Sequence, residues 1–133
     1  MNFGISPRAI ITDEQGRILV MQRHPSSDFW PSLWELPGGK MDEGETFDQT
    51  LVRETKEEVG YDIEPTNLVG SSEFDLPHVR VVVLVMQAKI IGGEEQLSDE
   101  HIALKWVRRD ELNGLQMVPP IAEAIKGWLA STP

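Results

Sequence analysis

Residues Arg53 to Gly60 read RETKEEVG. Taken as helix, the stretch brings Glu54, Glu57 and Glu58 within one turn of each other. Like charges at that spacing repel by roughly 0.2–0.5 kcal/mol per pair. Gly60 has the character of a helix stop. Glu57 and Glu58 then occupy the last turn, where the helix dipole favours Lys or Arg instead. The residues upstream support the helix. Phe47, Leu51, Thr55 and Val59 recur every fourth position and predict the stripe that meets the core. Thr46 can cap the helix, with Gln49 completing a capping box. The three carboxylates form an adjoining stripe about 100° wide, and Arg53 lies beside Glu57 away from the core. A run of acids alone is as compatible with a solvated face. Here the acids sit at the unfavourable end, directly after the glycine-containing loop LPGGKMDEGE. A hard divalent cation such as magnesium, which takes carboxylate oxygens, removes the conflict.

On either side of this helix the chain reads as strands and a second helix. RAIITDEQGRILVMQR predicts two strands joined by a turn at Asp13 to Gly16. HPSSDFWPSLWELPGGKMDEGE predicts a long loop with a short strand over Trp34 to Leu36. LVGSSEF, VRVVVLVMQAKII and HIALKWV predict strands. The second of these is nearly continuous and β-branched, as a central strand is. PPIAEAIKGWLAST predicts a helix with Pro119 or Pro120 in its first turn. This order predicts an α/β (α+β) fold, a mixed sheet with helices on its faces, and one domain over 1–133.

Composition removes several classes of function. The absence of cysteine excludes disulfides, thiolate metal sites and a cysteine nucleophile. No basic region followed by a long apolar run opens the chain, and no apolar run reaches membrane-span length. A cytoplasmic protein with no membrane partner is the expectation. A net charge of −10 repels polyanions, so nucleic acid is not an expected partner.

Gly39 to Tyr61, GKMDEGETFDQTLVRETKEEVGY, resembles the Nudix box. That pattern is Gly, five residues, Glu, seven residues, Arg-Glu, a hydrophobic, any residue, Glu-Glu, any residue, Gly and a hydrophobic. The matching positions are Gly39, Glu45, Arg53, Glu54, Thr55, Glu57, Glu58, Gly60 and Tyr61. Thr55 and Tyr61 are softer fits to the hydrophobic slots. The resemblance extends to the family's fold, an α/β/α sandwich around a central mixed sheet. It implies Mg2+-dependent hydrolysis of a nucleotide pyrophosphate linkage, with Mn2+ able to substitute. By analogy with the family, Glu57 and Glu58 are central metal ligands and the Gly38 carbonyl is another. Glu54 is a ligand, the general base or both, held in orientation by a pair between Arg53 and Glu45. In several members an acid in the loop before the LSDEHIALKWV strand serves as ligand or base. Glu100 is the choice here, with Asp99 behind it.

Further residues have two readings each. Arg23 either meets substrate phosphates or is an exposed strand-end charge. Gly39 and Lys40 follow in the glycine loop, where a phosphate can approach. Trp30 or Trp34 either stacks on a base or anchors the loop; Trp106 and Trp128 read as core. His24, His78 and His101 lack ligand-like spacing and read as surface or loop residues.

The chain resembles the MutT-like branch, which implies a nucleoside triphosphate cleaved to the monophosphate and pyrophosphate. Ala122 is read as matching a purine-reading Asn of that branch, so base selectivity is expected to be modest unless Asp75, His78 or Gln116 supplies it. Pro77 lies near a proline of many ADP-ribose hydrolases, which keeps ADP-ribose or another nucleoside diphosphate derivative as the alternative. A catalytically silent nucleotide-binding module is the other class; such a module is expected to lose box carboxylates, and all are present. The expected assembly is a monomer or homodimer.

Overall fold

The computed structural model describes residues 2–131. The chain runs β1 (Asn2–Ile11), β2 (Ile18–Arg23), β3 (Trp34–Glu35), α1 (Phe47–Val59), β4 (Tyr61–Leu76), β5 (Val79–Gly93) and β6 (His101–Val107). A 3-10 helix over Arg109–Gly114 and α2 (Pro119–Ala130) complete it. Met1, Thr132 and Pro133, the ends of the expected domain and the tail of the expected last helix, lie outside the described residues.

Two sheets form. One is mixed, in the order β1-β5-β4, with β1 parallel to β5 and β4 antiparallel to it. The other is antiparallel, in the order β3-β2-β6. The β-branched run of β5 is central, as its composition predicts. The turn after β1 forms through Gly16 N–H to Asp13 O at 3.0 Å. Its two strands, however, do not make a hairpin ladder. A single bridge joins Thr12 to Ile18, and the strands then enter different sheets. The expected strand LVGSSEF is the middle of a much longer β4, whose irregular register at Pro65–Asn67 and Leu68–Gly70 accommodates Pro65 on an edge strand.

Strand alternation sets the layers. In β1, Ile10 faces a core shared with Val85, Ile121 and Ile125. Its neighbours Ala9 and Ile11 face a second core with Leu51, Val59 and Ile63. Strand β2 divides the same way, Ile18 and Val20 to the first core, Leu19 and Met21 to the second. The sheets therefore lie between α2 on one side and α1 on the other, the expected α/β/α sandwich.

Helix α1 starts on the Thr46–Gln49 capping box and ends at Gly60, whose φ of 81° is left-handed. Leu51, Thr55 and Val59 are fully buried, but Phe47 is 42% exposed. Phe47 opens the helix, and burial begins one turn later at Thr50. Burying Leu51 and Val59 contributes roughly 1.5–3 kcal/mol each. That exceeds the few tenths per pair lost to repulsion among the acids, so packing holds the acidic turn helical. Trp34 is core, and Trp106 and Trp128, expected as core, pack against the core from its edge. Both are half-buried, because each has a polar edge to satisfy or cover: Trp106 donates to Glu95 at 2.8 Å, and Arg109 stacks on Trp128 at 3.8 Å.

Helix α2 docks on β4 at Gly70, where a β-carbon would collide with the Ala124 carbonyl oxygen. Gly70→Ala is expected to cost about 2–4 kcal/mol in urea unfolding, because the obstacle is backbone and cannot rotate away. A loss below about 0.5 kcal/mol, the range of surface substitutions, would show that α2 shifts freely on the sheet.

Candidate active site

The site forms where the glycine loop crosses from β3 to α1. Residues after β3 run along β1 through Ala9 N–H to Pro37 O at 2.8 Å, Gly39 N–H to Pro7 O at 3.2 Å and Met41 N–H to Ile5 O at 2.8 Å. Gly38 has a φ of 142°, and a β-carbon there would collide with the Pro7 carbonyl oxygen. At Gly39 a β-carbon would stand 2.8 Å from the Glu54 carboxyl carbon. The double glycine thus lets the loop pass tightly between β1 and the acids of α1.

Those acids differ in environment. Glu58 is 5% exposed and accepts the Gly38 N–H at 2.8 Å. Burial pushes its carboxyl up to about 8; Arg8 and the Gly38 N–H pull it down, less strongly, while Glu35 and Glu54 add to the rise. Glu54 is also raised, first by burial, against the pull of Arg53. Glu57 is exposed, with Arg53 at 3.6 Å. Arg53 is the organiser of this face. It donates to Glu45 through Nε at 2.8 Å and Nη2 at 3.0 Å, and to Glu54 through Nη1 at 3.0 Å. The hydrogen bond from Arg53 is the main cause that holds the Glu45 carboxyl down at about 2, helped by the Asp42 N–H and Thr50.

Glu100 reaches this group because the loop before β6 is stitched to the end of α1. Gln96 N–H donates to Val59 O at 2.9 Å and Ser98 N–H to Glu58 O at 3.0 Å. Glu58, Glu100 and His101 then bring a carboxylate oxygen each and a ring nitrogen within 4.8 Å of one another. Asp99 lines the same cavity, of about 680 Å3, with Lys40.

Glu35 and Arg8 escaped the sequence reading, and His101 reads there as a surface residue. Glu35 is 2% exposed and accepts from Arg8 at 3.0 Å, from Arg23 at 3.0 Å and from His101 Nε2 at 2.6 Å. Burial alone would raise its carboxyl; the His101 hydrogen bond and the two guanidinium charges outweigh that and hold it at about 2. The expected surface role of His101 is therefore corrected: it is 6% exposed, because β6 opens beside Arg23 of β2 and turns the ring onto Glu35. Arg23 is likewise no exposed strand-end charge, since it is held on Glu35 and on the Phe29 carbonyl at 3.0 Å. A signal was available. Glu35 stands between Trp34 and Leu36, both core, so period-two alternation turns it to the opposite face, where a buried acid needs cations.

A second cavity, of about 620 Å3, adjoins the acidic one and shares Arg8, Arg23, Glu35 and Lys40 with it. Trp30 lines it, packed edge-on against Phe74 at 5.2 Å. Ala122, expected to match a base-reading position, does not line this cavity. Ala122 lines a separate groove with Leu33 and Leu112, and Val118 and Pro120 face the cavity instead, because two residues, about 200° of helix, carry Ala122 from the side of Pro120 to the other side of α2. Of Asp75, His78 and Gln116, His78 lines the cavity; Asp75 is paired with Arg80 at 2.7 Å and Gln116 lines the other groove.

The donor set suits a hard divalent cation. Glu58 is a buried carboxylate without an ion pair among the described residues, and Glu54, Glu57 and Glu100 add further oxygen donors nearby. Gly38, joined to Glu58 through its N–H, is the remaining member of the expected ligand set.

Comparison with known proteins agrees with this geometry. The NUDIX domain family model matches residues 3–129. The chain is 44% identical to an 8-oxo-dGTP diphosphatase of Haemophilus influenzae, over 92% of this chain and 89% of that protein. It is 31% identical to a CTP pyrophosphohydrolase of Escherichia coli, over 94% and 93%. The chain spans 66% and 42% of two longer relatives, and the match to a third covers 51% of this chain and 60% of that protein. The crystal structure of a MutT protein from Methanosarcina mazei superposes with a TM-score of 0.84 at 27% identity, covering 96% of this chain and 93% of that one. With the family's sequence pattern, its fold and a loop that seats the acidic helix turn against β1, the chain belongs to the NUDIX domain family.

Proposed function

We propose that this chain is a Mg2+-dependent nucleotide pyrophosphohydrolase that cleaves a nucleoside triphosphate between the α and β phosphates, releasing the monophosphate and pyrophosphate, with Mn2+ able to replace Mg2+. The observation that carries the reading is the buried Glu58 carboxylate, grouped with Glu54, Glu57 and Glu100 and opening towards an aromatic cavity of about 620 Å3. A cavity of that size accepts a nucleoside. The relatives named as diphosphatases and pyrophosphohydrolases support the same class.

A divalent cation held by Glu57, Glu58, Glu54 and the Gly38 carbonyl would offset the polyphosphate charge and acidify a water molecule. The protein's own groups do the rest. Trp30 and Phe74 wall the base-sized cavity. Arg23 and Lys40 stand where the two cavities meet, placed to pair with phosphate oxygens. Gly39 gives the chain a close approach there. Arg53, anchored on Glu45, fixes Glu54, which takes the proton of the attacking water as the bridging P–O bond breaks. Glu100 is the other acid within reach of Glu58. A silent binding module needs no such clamp on Glu54.

Base selectivity is expected to be modest. Val118 and Pro120 carry no side-chain hydrogen-bonding group, so a wrong base strands no buried partner in α2. Values of kcat/KM for the common and oxidised triphosphates, beside ADP-ribose and with products identified, test this. A triphosphate is expected to lead. A preference for ADP-ribose of about 100-fold or more, equal to about 2.7 kcal/mol, would overturn the substrate reading.

A further inference from the structure

We propose that His101 is a nitrogen ligand of the cation held at Glu58, oriented for that task by Glu35. The inference rests on the metal-dependent reading above and adds a donor to it.

Three observations converge. The first is proximity: a ring nitrogen of His101 lies within 4.8 Å of carboxylate oxygens of both Glu58 and Glu100. The second is an orphaned atom. The His101 side chain is 3% exposed, and its Nδ1 is buried with no hydrogen-bond partner among the described residues. A buried polar atom left unpaired costs about 1–3 kcal/mol, and the Glu35 contact satisfies only the other ring nitrogen. The third is the partner on the other side of the ring. Nε2 lies 2.6 Å from Glu35 Oε2, and a carboxylate can only accept, so the proton is on Nε2. In a neutral ring the lone pair is then on Nδ1.

Glu35 already faces two guanidinium groups, Arg8 at 3.0 Å and Arg23 at 3.0 Å. The arrangement is carboxylate, imidazole N–H, then a free imidazole nitrogen, on a ring that has two further carboxylates within 4.8 Å of one of its nitrogens. Metal-binding histidines are oriented in this way, with the second ring nitrogen donating to a carboxylate. An imidazole also shifts the preference of an oxygen site away from magnesium and towards Mn2+ and other transition ions.

The test uses Mn2+ as the probe on the full chain. Electron spin-echo modulation of the Mn2+-loaded protein is expected to show a directly coordinated 14N nucleus. The signal should change to that of 15N when only the histidines carry 15N, vanish in His101→Gln, and persist in His24→Gln and His78→Gln. The ratio of Mn2+ to Mg2+ affinity is expected to fall about tenfold in His101→Gln. Should that variant not fold, the 15N-labelled wild type beside the other two histidine variants still assigns the nitrogen. Mn2+ binding that depends on Glu58 but shows no coordinated nitrogen overturns this inference alone and leaves the proposed activity standing. Mn2+ binding that Glu58→Gln does not alter overturns both.

Discussion

Glu58→Gln is expected to lower kcat/KM about 10³-fold or more while raising the melting temperature of the metal-free protein. The two effects have one cause. Burial makes the ionised carboxylate unwelcome, and its carboxyl is pushed from 4.5 up to about 8. The sign follows directly. The fold prefers the protonated form, so stability is complete below about 4.5 and is lost as pH rises through about 8. The loss is on the order of 5 kcal/mol. Glutamine keeps the acceptor for the Gly38 N–H and never ionises, so the variant escapes this loss. At pH 8.5 without metal it should melt upwards of about 10 °C higher than wild type. Mg2+ should raise the wild-type melting point and leave that of the variant nearly unchanged. Glu57→Gln provides the contrast. Its carboxylate is 59% exposed, so losing it should change stability by less than about 0.5 kcal/mol while activity still falls by orders of magnitude. If metal-free Glu58→Gln melts below wild type at pH 8.5, the buried carboxylate is a structural group and the metal assignment fails.

The opposed behaviour expected of Glu57 and Glu58 shows what the sequence conveyed and what it withheld. Helix α1 was legible from Thr46 to Gly60 because its signals are local: a capping box, a four-residue stripe and a glycine stop. The conflict of acids with the helix end was equally local, and it pointed to the right turn of the right helix. How the acids divide between buried and exposed was not legible, because Glu58 is covered by Gly38 and by the loop through Ser98, both distant in sequence. The same limit explains β1. Its turn to β2 reads correctly, but its partner is β5, and a parallel pairing leaves no short-range signal. Glu35 and His101 are joined across 66 positions. Each looked unremarkable alone, and only the strand order β3-β2-β6 brings them together. Ala122 was misplaced for a different reason. Proline-rich entry into α2 leaves the helix phase open, and a slip of two residues, about 200°, exchanges the cavity face for the far side.

Glu54→Gln is expected to lower kcat about 10²–10³-fold and to change KM by no more than about threefold. The argument is environmental. Glu54 is partly buried, and burial raises its carboxyl, which moves a carboxylate towards the range where it can accept a proton near neutrality. Arg53 opposes that rise but does not cancel it, and its contact at 3.0 Å gives the carboxylate a fixed direction. The Arg53 guanidinium is itself immobilised on Glu45 by two hydrogen bonds. A proton acceptor held from behind in this way loses little to reorganisation as the water attacks. Glu100 has no comparable support. It is exposed, on the loop before β6, and near Glu58 rather than Arg53. Glu100→Gln is therefore expected to reduce kcat about tenfold or less, mainly through weaker cation binding that excess Mg2+ restores. A kcat loss in Glu100→Gln that exceeds the loss in Glu54→Gln and resists added Mg2+ would move the base to the later loop. If neither substitution lowers kcat by more than about threefold, no side chain of this site takes the proton in the rate-limiting step.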